Sequence, residues 1–410
     1  MLLIGGGIGG MAAALALARL GVPVELLEQS TTIGEIGAGL QLAPNAFAAL
    51  DALGIGEQVR RGAVFTERLV LMDAVDCSEV ASVPVGEAFR KRFGNPYAVT
   101  HRADLHEAIH AAVRSHPLIR LHTAAHVAAI ELGERAVAAR TADGRCFRAD
   151  ALVGCDGVKS VVRERIVGDV ARVTGHVVYR AVVPTPDMPA DLRWNAPVVW
   201  GGPNCHLVHY PLRSGDQYNL VLTFHSREQE QWGVRDGSKE EVLSYFDGVH
   251  PRPRQLLDLP TSWRRWATAD REPVARWSEG RATLLGDAAH PMMQYLAQGA
   301  CMALEDAVTL AAAVQRAGFD LPAAFRLYEQ ARVTRAARVV LMVREMGRIY
   351  HASGVERLVR NDLWKGRTPE RFYDSLEWLW GWRAADCLGA ATPAADIRSD
   401  RGAAHAGSAA

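Results

Sequence analysis

The first 30 residues alternate apolar stretches with a glycine-rich turn. Leu2–Ile4 predicts a short buried strand, the alanine-rich residues up to Leu20 predict a helix, and Val24–Leu27 predicts the next strand. A strand, turn, helix and strand within about 30 residues are typical of a parallel sheet with helices packed on its faces. The first strand is short, so we expect a few further residues to precede Met1.

Apolar and polar positions alternate in a longer region in the middle of the chain. Four such segments lie between residues 177 and 226, separated by the turns Gly201-Gly202-Pro203 and Ser214-Gly215-Asp216. Alternation with a period of two predicts strands that bury one face, as in an antiparallel sheet. The pattern therefore predicts an antiparallel sheet inserted between two parts of a parallel one.

Shorter segments on both sides of this region predict the remaining elements. Strands are predicted at residues 98–100, 127–132, 136–141, 146–149, 151–154 and 282–285. Helices are predicted at residues 45–53, 103–115, 299–316 and 321–349. The Ala-, Gly- and Ser-rich tail from Ala390 predicts disorder.

Composition narrows the class of protein. The 410 residues suffice for two or three domains, and 46 basic and 46 acidic residues leave no charge that favours nucleic acid. Six cysteines without a C-x-x-C pair argue against a metal site and against a disulfide framework, and they suit a reducing cytoplasm. The apolar run Met11–Leu20 is too short to cross a membrane, and no secretory signal precedes it.

Gly5, Gly7 and Gly10 follow the first strand in the pattern G-x-G-x-x-G. In this position glycines permit a tight turn, close approach of the backbone to a pyrophosphate, and close packing of helix on sheet. Glu28 ends the second strand, where a carboxylate can accept hydrogen bonds from ribose hydroxyls. The pattern predicts a dinucleotide site, although glycine turns also arise for packing alone.

Two later segments have a similar composition. Asp156-Gly157 follows a buried strand, with Arg163 nearby; the alternative is a helix cap beside an exposed arginine. Gly286-Asp287 also follows a buried strand, and Gly299 opens the next helix, so that its first N–H groups could face a cofactor. The alternative for this second segment is an ordinary strand-to-helix crossover.

Together the three segments resemble the group A flavin-dependent aromatic hydroxylases, the family of salicylate and hydroxybenzoate monooxygenases. The resemblance covers about residues 2–345 and implies non-covalent FAD, with contacts from Glu28, Arg102 and Asp287, and more weakly from Gln41. Asp156-Gly157 would serve both FAD and the nicotinamide. Smaller matches agree: Gly37-Ala38-Gly39-Leu40-Gln41-Leu42, Pro44-Asn45, His101-Arg102-Ala103-Asp104-Leu105, Asp270-Arg271-Glu272-Pro273, Trp277 and the segment from Gln298 to Asp306.

The resemblance also implies the domain organisation. The fold class would be α/β, a Rossmann-like FAD-binding domain of the p-hydroxybenzoate hydroxylase type. Its first part would cover residues 1–175 and its second part residues 266–345. Residues 176–265 would form the inserted antiparallel sheet as a substrate domain, and residues 346–410 a helical C-terminal region with the tail.

Gln294 departs from the family pattern, which usually has a second proline three residues after Pro291. The departure removes an apolar ring and supplies an amide donor and acceptor. Within the family, Gln294-Tyr295 most resembles the 3-hydroxybenzoate 6-hydroxylases, whose product is gentisate. Salicylate 1-hydroxylases and 6-hydroxynicotinate 3-monooxygenases tend to keep the proline.

The segment Cys205–Leu212 supplies the pocket residues. Side chains alternate along a strand, so His206 and Tyr210 share one face while His209 points to the other. The resemblance assigns His206 and Tyr210 to the substrate pocket, with Tyr97 as a lesser candidate. The alternatives are an ordinary buried sheet histidine and a half-buried strand tyrosine.

The implied reaction consumes NADH and O2 and hydroxylates the ring para to the phenol through a flavin C4a-hydroperoxide. His206 would act as the base for the phenolic proton, because imidazole titrates closest to neutral pH. Gln294 would hold the phenolic or para side of the ring, and Tyr210 would orient the ring or its carboxylate. NADPH stays open as the alternative reductant.

The sequence is also compatible with other functions. A salicylate or 6-hydroxynicotinate hydroxylase would release CO2, and a flavin reductase or dehydrogenase would oxidise NADH without hydroxylation. A non-catalytic binding protein derived from a flavoprotein would be colourless. The C-terminal residues Trp364, Trp378, Trp380 and Trp382 could support a homodimer, although core packing is the simpler expectation for most of them.

Overall fold

A computed structural model describes residues 1–34 and 38–389. Gly37 and the tail from Ala390 lie outside the described residues. The described strands are β1 Leu2–Ile4, β2 Val24–Leu27, β3 Gly39–Leu42, β4 Val64–Phe65, β5 Arg68–Asp73, β6 Glu79–Pro84, β7 Ala98–His101, β8 Ile119–His122, β9 Val127–Leu132, β10 Val137–Thr141, β11 Cys146–Ala149, β12 Leu152–Gly154, β13 Arg172–Pro184, β14 Val198–Gly202, β15 Cys205–Leu212, β16 Gln217–His225, β17 Gly233–Asp236, β18 Arg264–Asp270, β19 Ser278–Glu279 and β20 Ala282–Leu284.

Five of the twelve described helices lie where the sequence predicts helices, the last two lie in the predicted helical C-terminal region, and the other five were not predicted. The twelve are α1 Ile8–Arg19, α2 Pro44–Ala52, α3 Gly56–Gly62, α4 Glu87–Phe93, α5 Arg102–Ser115, α6 Val161–Ile166, α7 Lys239–Tyr245, α8 Pro251–Arg254, α9 Gly299–Arg316, α10 Leu321–Tyr350, α11 Gly354–Trp364 and α12 Pro369–Trp380.

A six-stranded sheet in the order β19-β20-β12-β1-β2-β8 forms the first layer, as the opening pattern predicts. β1 lies in its interior and pairs in parallel with β12 and β2, while the edge strand β19 runs antiparallel to β20. All three residues of β1 are buried, which is why its sequence is entirely apolar. The carboxyl ends of β1, β12 and β20 therefore meet at one edge of the sheet, just before the three glycine-containing segments.

The second sheet has eight strands in the order β17-β18-β13-β16-β15-β14-β5-β6. β13, β16, β15 and β14 are antiparallel neighbours, as the alternating pattern predicts. The sheet is wider than residues 176–265, because β14 pairs in parallel with β5 and so adds the β5–β6 hairpin. The pattern of single strands could not reveal this pairing, since the two partners lie more than a hundred residues apart.

A small sheet in the order β3-β7-β4 connects the two larger units. Gly39 in β3 donates its N–H to the Asn219 side chain in β16 at 2.8 Å. A Cβ at Gly39 would lie 2.5 Å from the Tyr210 ring, so the absence of a side chain lets β15 approach β3 closely. This contact fixes the cavity wall that Tyr210 and β3 share.

The C-terminal helices α11 and α12 pack against β6, and α12 also packs against α2 and α4. Trp380 is 5 % exposed and lies edge-on to Phe89, Phe93 and Tyr97, so it belongs to the core. Trp364, Trp378 and Trp382 are half-buried against the same core. The exposed apolar side chains of this region lie instead on α11, at Val355, Leu358, Val359 and Leu363. Among the described residues, no helix is long and apolar enough to cross a membrane.

Candidate active site

The turn after β1 gives each glycine of the motif a different environment. Gly5 has a φ of 107°, and a Cβ there would lie 2.2 Å from the Cys155 carbonyl oxygen. A Cβ at Gly10 would lie 1.9 Å from the carbonyl oxygen of Gly5, whereas a Cβ at Gly7 would meet nothing within 4 Å. Gly5 and Gly10 are therefore needed for the turn and for packing, and Gly7 leaves an open surface at the start of α1.

Glu28 lies at the end of β2 and is half-buried. Its carboxylate accepts hydrogen bonds from the backbone N–H groups of Gly6 at 2.7 Å and Ser30 at 2.8 Å. Each carboxylate oxygen can accept a second hydrogen bond, so this arrangement leaves capacity for a hydroxyl group. Glu28 thus anchors the glycine turn, and its contact with a ribose stays a prediction.

Asp156 and Gly157 are neighbours in sequence but have different surroundings. The Asp156 carboxylate accepts from the Ser160 hydroxyl at 2.5 Å and from the Val161 N–H at 2.8 Å, as a cap of α6, and burial raises the pKa of this carboxyl. Gly157 has a φ of 74° and lines the central cavity. The carboxylate therefore has the position of the predicted alternative, a helix cap, and only the adjacent glycine is brought to the cavity.

The helix-cap alternative supposed an exposed arginine in this segment, and that part of it is wrong. Arg163 is fully buried and pairs with the Asp169 carboxylate at 2.8 Å. It also donates to the carbonyl oxygens of Ala288 and Ala289, which follow the second Gly-Asp pair. Arg163 therefore connects two of the three segments that the sequence singled out.

The loop after β20 is held by buried charges. The Asp306 carboxylate, in α9, accepts from the Gly286 N–H at 3.0 Å and lies 2.6 Å from His290 Nε2. Arg332, in α10, donates to the same carboxylate at 2.6 Å, and the pKa of Asp306 is held below its usual range despite its burial. These bonds fix the loop backbone at the edge of the cavity.

Asp287 projects from this loop into the cavity. Its side chain is accessible from the cavity and is otherwise surrounded by protein. The resulting desolvation raises the pKa of the Asp287 carboxyl. Arg102, at the first turn of α5, lines the same cavity. The structure therefore brings these two predicted FAD contacts together.

Helix α9 begins at Gly299 as predicted, but the predicted role of its glycine in the turn is wrong. The left-handed residue is Ala297, with a φ of 53°, and Gly299 is not among the residues of positive φ. A Cβ at Gly299 would meet nothing within 4 Å, and the residue lines the cavity. Neither the backbone nor the protein neighbours therefore require a glycine here; Gly299 leaves open space in front of the helix, and the turn itself is made two residues earlier.

These elements surround one cavity of about 740 Å³. This volume lies in the range of sites that enclose a small-molecule ligand. The wall includes residues from the three glycine segments, from β15 and from the C-terminal helices. Of the predicted site residues, it includes Gly7, Gln41, Tyr97, Arg102, Gly157, His206, Tyr210, Asp287, Gln294 and Gly299.

The alternation predicted for β15 is present. His206 and Tyr210 line the cavity, whereas His209 is buried on the opposite face, where its Nε2 lies 3.1 Å from the Leu192 carbonyl oxygen. His206 Nδ1 lies 2.8 Å from Nε2 of His351, and burial lowers the pKa of His206 to about 3. The His206 imidazole is therefore neutral at neutral pH.

Gln294 lies next to His206. Its amide donates to the Thr223 hydroxyl at 3.0 Å, and Thr223 is the residue directly opposite His206 on β16. On the other side of the cavity, the Tyr97 hydroxyl donates to the Gln41 side-chain oxygen at 2.6 Å. The cavity wall therefore contains an imidazole beside an amide, and the phenol of the residue that precedes β7.

Two residues in or beside this site were not predicted from the sequence. Arg180 of β13 lines the cavity, and its guanidinium lies 5.6 Å from the centre of the Trp266 ring; burial lowers its pKa. Its place in an alternating strand was the available signal. His351 follows α10 and reaches His206 across 145 positions of sequence, so no local pattern could have indicated the pair.

The arrangement fits an extended dinucleotide such as FAD. Gly7, Gly157 and Gly299 all line the cavity, and at each of them a Cβ would meet nothing within 4 Å. Asp287 offers a carboxylate to hydroxyl groups along the same wall, and α1 begins at the glycine turn without a side-chain cap. Open glycine surfaces, a carboxylate and a helix N-terminus are the features that such a cofactor requires.

Comparison with known proteins agrees with this geometry. Residues 1–342 match the family model described as FAD binding domain. The chain belongs to this family. The flavin-dependent hydroxylase resemblance and its α/β fold are thereby confirmed.

Similar proteins cover nearly the whole chain. A 3-hydroxybenzoate 6-hydroxylase of Polaromonas naphthalenivorans (strain CJ2) is 62% identical over 95% of this chain and 97% of the relative. One from Klebsiella oxytoca is 61% identical over 94% of this chain and 98% of the relative. Among solved structures, a salicylate hydroxylase substrate complex aligns with a TM-score of 0.80 and 27% identity, covering 94% of this chain and 96% of that chain.

Proposed function

We propose that this protein is an FAD-dependent monooxygenase that hydroxylates 3-hydroxybenzoate para to its phenol, forming gentisate. The observation that carries the proposal is its 62% identity, over nearly the whole length of both chains, with a relative named for that reaction. The polar pair His206 and Gln294 in the cavity wall supports it, because a phenolic ring needs a proton acceptor and an amide partner.

Several residues would hold the cofactor and the substrate. Gly7, Glu28, Arg102 and Asp287 would bind FAD, and Gly299 would admit it to the start of α9. The guanidinium of Arg180 adds positive charge to a cavity that must accept an aromatic carboxylate; Tyr210 and Tyr97 would orient the ring. Bound FAD supplies the redox chemistry that couples NADH oxidation to activation of O2.

His206 and Gln294 would prepare the ring for oxygen transfer. His206 Nδ1 faces His351, which leaves Nε2 to accept the phenolic proton. Removal of that proton makes the para carbon more electron-rich. The Gln294 amide, fixed by Thr223, would hold the ring in the orientation that presents this carbon.

A product assay tests the proposal. Purified holoenzyme is incubated with NADH and, separately, with 3-hydroxybenzoate, salicylate, 4-hydroxybenzoate and 6-hydroxynicotinate. We expect gentisate from the first, with one NADH and one O2 consumed per product. Release of CO2 from salicylate or 6-hydroxynicotinate would favour the decarboxylating hydroxylases, and NADH oxidation without any product would favour a flavin reductase. Absence of turnover with 3-hydroxybenzoate would exclude the proposal.

Three further properties belong to this proposal. NADH is the proposed reductant, and parallel assays with NADPH at equal concentration measure the preference. A homodimer is proposed, although its predicted support from the C-terminal tryptophans is reduced because Trp380 is buried in the core; sedimentation velocity measures the state. A cytoplasmic location is proposed from the free cysteines, and cell fractionation tests it.

A further inference from the structure

His206, in the cavity wall, and His351, just after α10, form a pair of imidazoles in direct contact. His206 is 2 % exposed and lines the cavity, and His351 is half-buried at the end of α10. The distance of 2.8 Å between His206 Nδ1 and His351 Nε2 is that of a good hydrogen bond. The next residues of the chain, Ala352 and Ser353, lead to the surface at the start of α11.

Other aromatic groups surround this pair. His176 of β13 lies against the His351 ring and contacts His225 of β16, and Tyr295 and Tyr350 lie against the His206 ring. The Tyr295 hydroxyl lies 2.6 Å from Nδ1 of His176. Burial, followed by the neighbouring histidines, lowers the pKa of His351, and burial raises the pKa of Tyr350 to about 12. His176, His206 and His351 are therefore neutral imidazoles at neutral pH, and Tyr295 and Tyr350 are neutral phenols.

The hydrogen bond between the two imidazoles determines what His206 can do. A neutral imidazole carries one N–H, so the bond can be donated from either ring. If His206 Nδ1 donates, its Nε2 is a bare acceptor, available to a substrate in the cavity that His206 lines. If His351 Nε2 donates, His206 carries its proton on Nε2 and can only donate to the substrate. His351 therefore controls whether His206 is a base or an acid toward the phenol.

We propose that His206 and His351 form a two-imidazole relay that carries the phenolic proton of the substrate out of the cavity. This inference rests on the proposed function. The phenol O–H proton moves to His206 Nε2, the proton on His206 Nδ1 moves to His351 Nε2, and the proton on His351 Nδ1 passes to solvent. Three O–H or N–H bonds break and three form, and the substrate is left as the phenolate.

The burial of His206 explains why a relay is needed. An imidazole with a pKa near 3 cannot retain a proton at neutral pH, so a proton taken from the phenol must move on or return. Nδ1 already faces the half-buried His351. His351 is thus a positioning residue, which acts on the substrate only through His206.

The test compares two substrates that differ in the acidity of the phenol. The substrates are 3-hydroxybenzoate and 2,4-difluoro-3-hydroxybenzoate, whose two fluorines lower the phenol pKa while the para carbon stays free. In the holoenzyme variant His351→Gln, we expect product per NADH from 3-hydroxybenzoate to fall several-fold, with hydrogen peroxide replacing product. With the more acidic substrate at pH 8.5, coupling should stay close to wild type, because the phenol is already ionised.

Two further variants make the result specific. His351→Ala should regain coupling with 3-hydroxybenzoate when imidazole is added, since a free imidazole can replace the missing ring. His225→Gln is the matched control: its exposed ring lies near His176 but outside the proposed path, and it should behave as wild type.

The outcomes distinguish the relay from the proposed function. If His351→Gln couples 3-hydroxybenzoate as well as wild type, the relay is excluded while the hydroxylase assignment stands. The relay is also excluded if both substrates lose coupling equally and imidazole restores nothing, because His351 would then only pack against His206. Failure of the wild-type enzyme to form gentisate would instead reject the proposed function.

Discussion

Single glycines in the first turn separate packing from cofactor binding. Gly7 has an extended backbone, with φ −72° and ψ −176°, that alanine also adopts, and a Cβ there would project into open space. At Gly10 a Cβ would collide with the carbonyl oxygen of Gly5. In this motif, Gly7 is therefore the position that matters for ligand binding, and Gly10 is the position that matters for folding.

Substitution by alanine at these two positions should have opposite effects. Gly7→Ala should leave the melting temperature of the apoprotein unchanged and weaken FAD binding about tenfold or more, because the methyl group overpacks the bound cofactor. Gly10→Ala should cost about 3 kcal/mol or more of folding stability. Calorimetry of the apoproteins and FAD titration by fluorescence measure both; equal FAD affinity of Gly7→Ala and wild type would contradict the assignment of this surface.

The predicted role of His206 as a base is tested by replacing its side chain with alanine. His206→Ala should leave NADH oxidation largely intact, because the residue lies on β15, outside the glycine turns and Asp287 that would hold FAD. Product per NADH should fall, by a factor of about 10² if general base catalysis is lost, and hydrogen peroxide should account for the difference. Normal coupling in this variant would mean that His206 has no catalytic function. His126→Ala, which replaces an exposed histidine just before β9, is the control.

At the scale of elements, local patterns predicted most of the fold and the part of the site that is close in sequence. The period of two in β15 placed His206 and Tyr210 on one face, and apolar strands followed by glycine located the three turns. Pairings across long separations were not predictable, such as β14 with β5 or His206 with His351. They depend on tertiary packing, which a single sequence does not display as a local period.

The pairing of α9 with α10 is the element contact that supports the cofactor loop. Arg332 of α10 is fully buried and donates to Glu305 and Asp306 of α9, both fully buried, at 2.6 Å each. Asp306 in turn holds Gly286 of the loop. Removing the arginine would take from both carboxylates a buried counter-charge that they share, leaving only Arg335 beside Glu305 and His290 beside Asp306. Losing one partner of a buried ion pair is far more costly than never having built the pair.

Arg332→Met should therefore lower the free energy of unfolding by about 3–5 kcal/mol. It should also weaken FAD binding, because the loop that carries Asp287 loses its support. Arg348→Met, on the same helix, removes an exposed arginine and should change stability by less than about 0.5 kcal/mol. Urea unfolding of the three apoproteins measures the difference, and a loss below about 1 kcal/mol in Arg332→Met would contradict this account.

For the whole molecule, neutral buried histidines should determine the response to acid. Burial lowers the pKa of His209 to about 4 and that of His206 to about 3. Between these values and the ordinary histidine pKa of about 6.5, the unfolded chain binds more protons than the folded one. The free energy of unfolding should therefore be highest above pH 7 and fall as the pH is lowered through 6 and 5.

His209 isolates this effect because it lies away from the cavity. Its Nδ1 accepts from Trp200 Nε1 at 3.3 Å, so protonation would break that bond as well as place a charge in the core. At pH 5 this one histidine should cost about 2 kcal/mol relative to pH 8. His209→Gln keeps a donor and an acceptor but cannot titrate. Between pH 8 and pH 5 its free energy of unfolding should therefore fall by about 2 kcal/mol less than that of wild type. Urea unfolding at a series of pH values, with His126→Gln as the exposed control, measures it; equal slopes for His209→Gln and wild type would show that His209 does not contribute to the acid response.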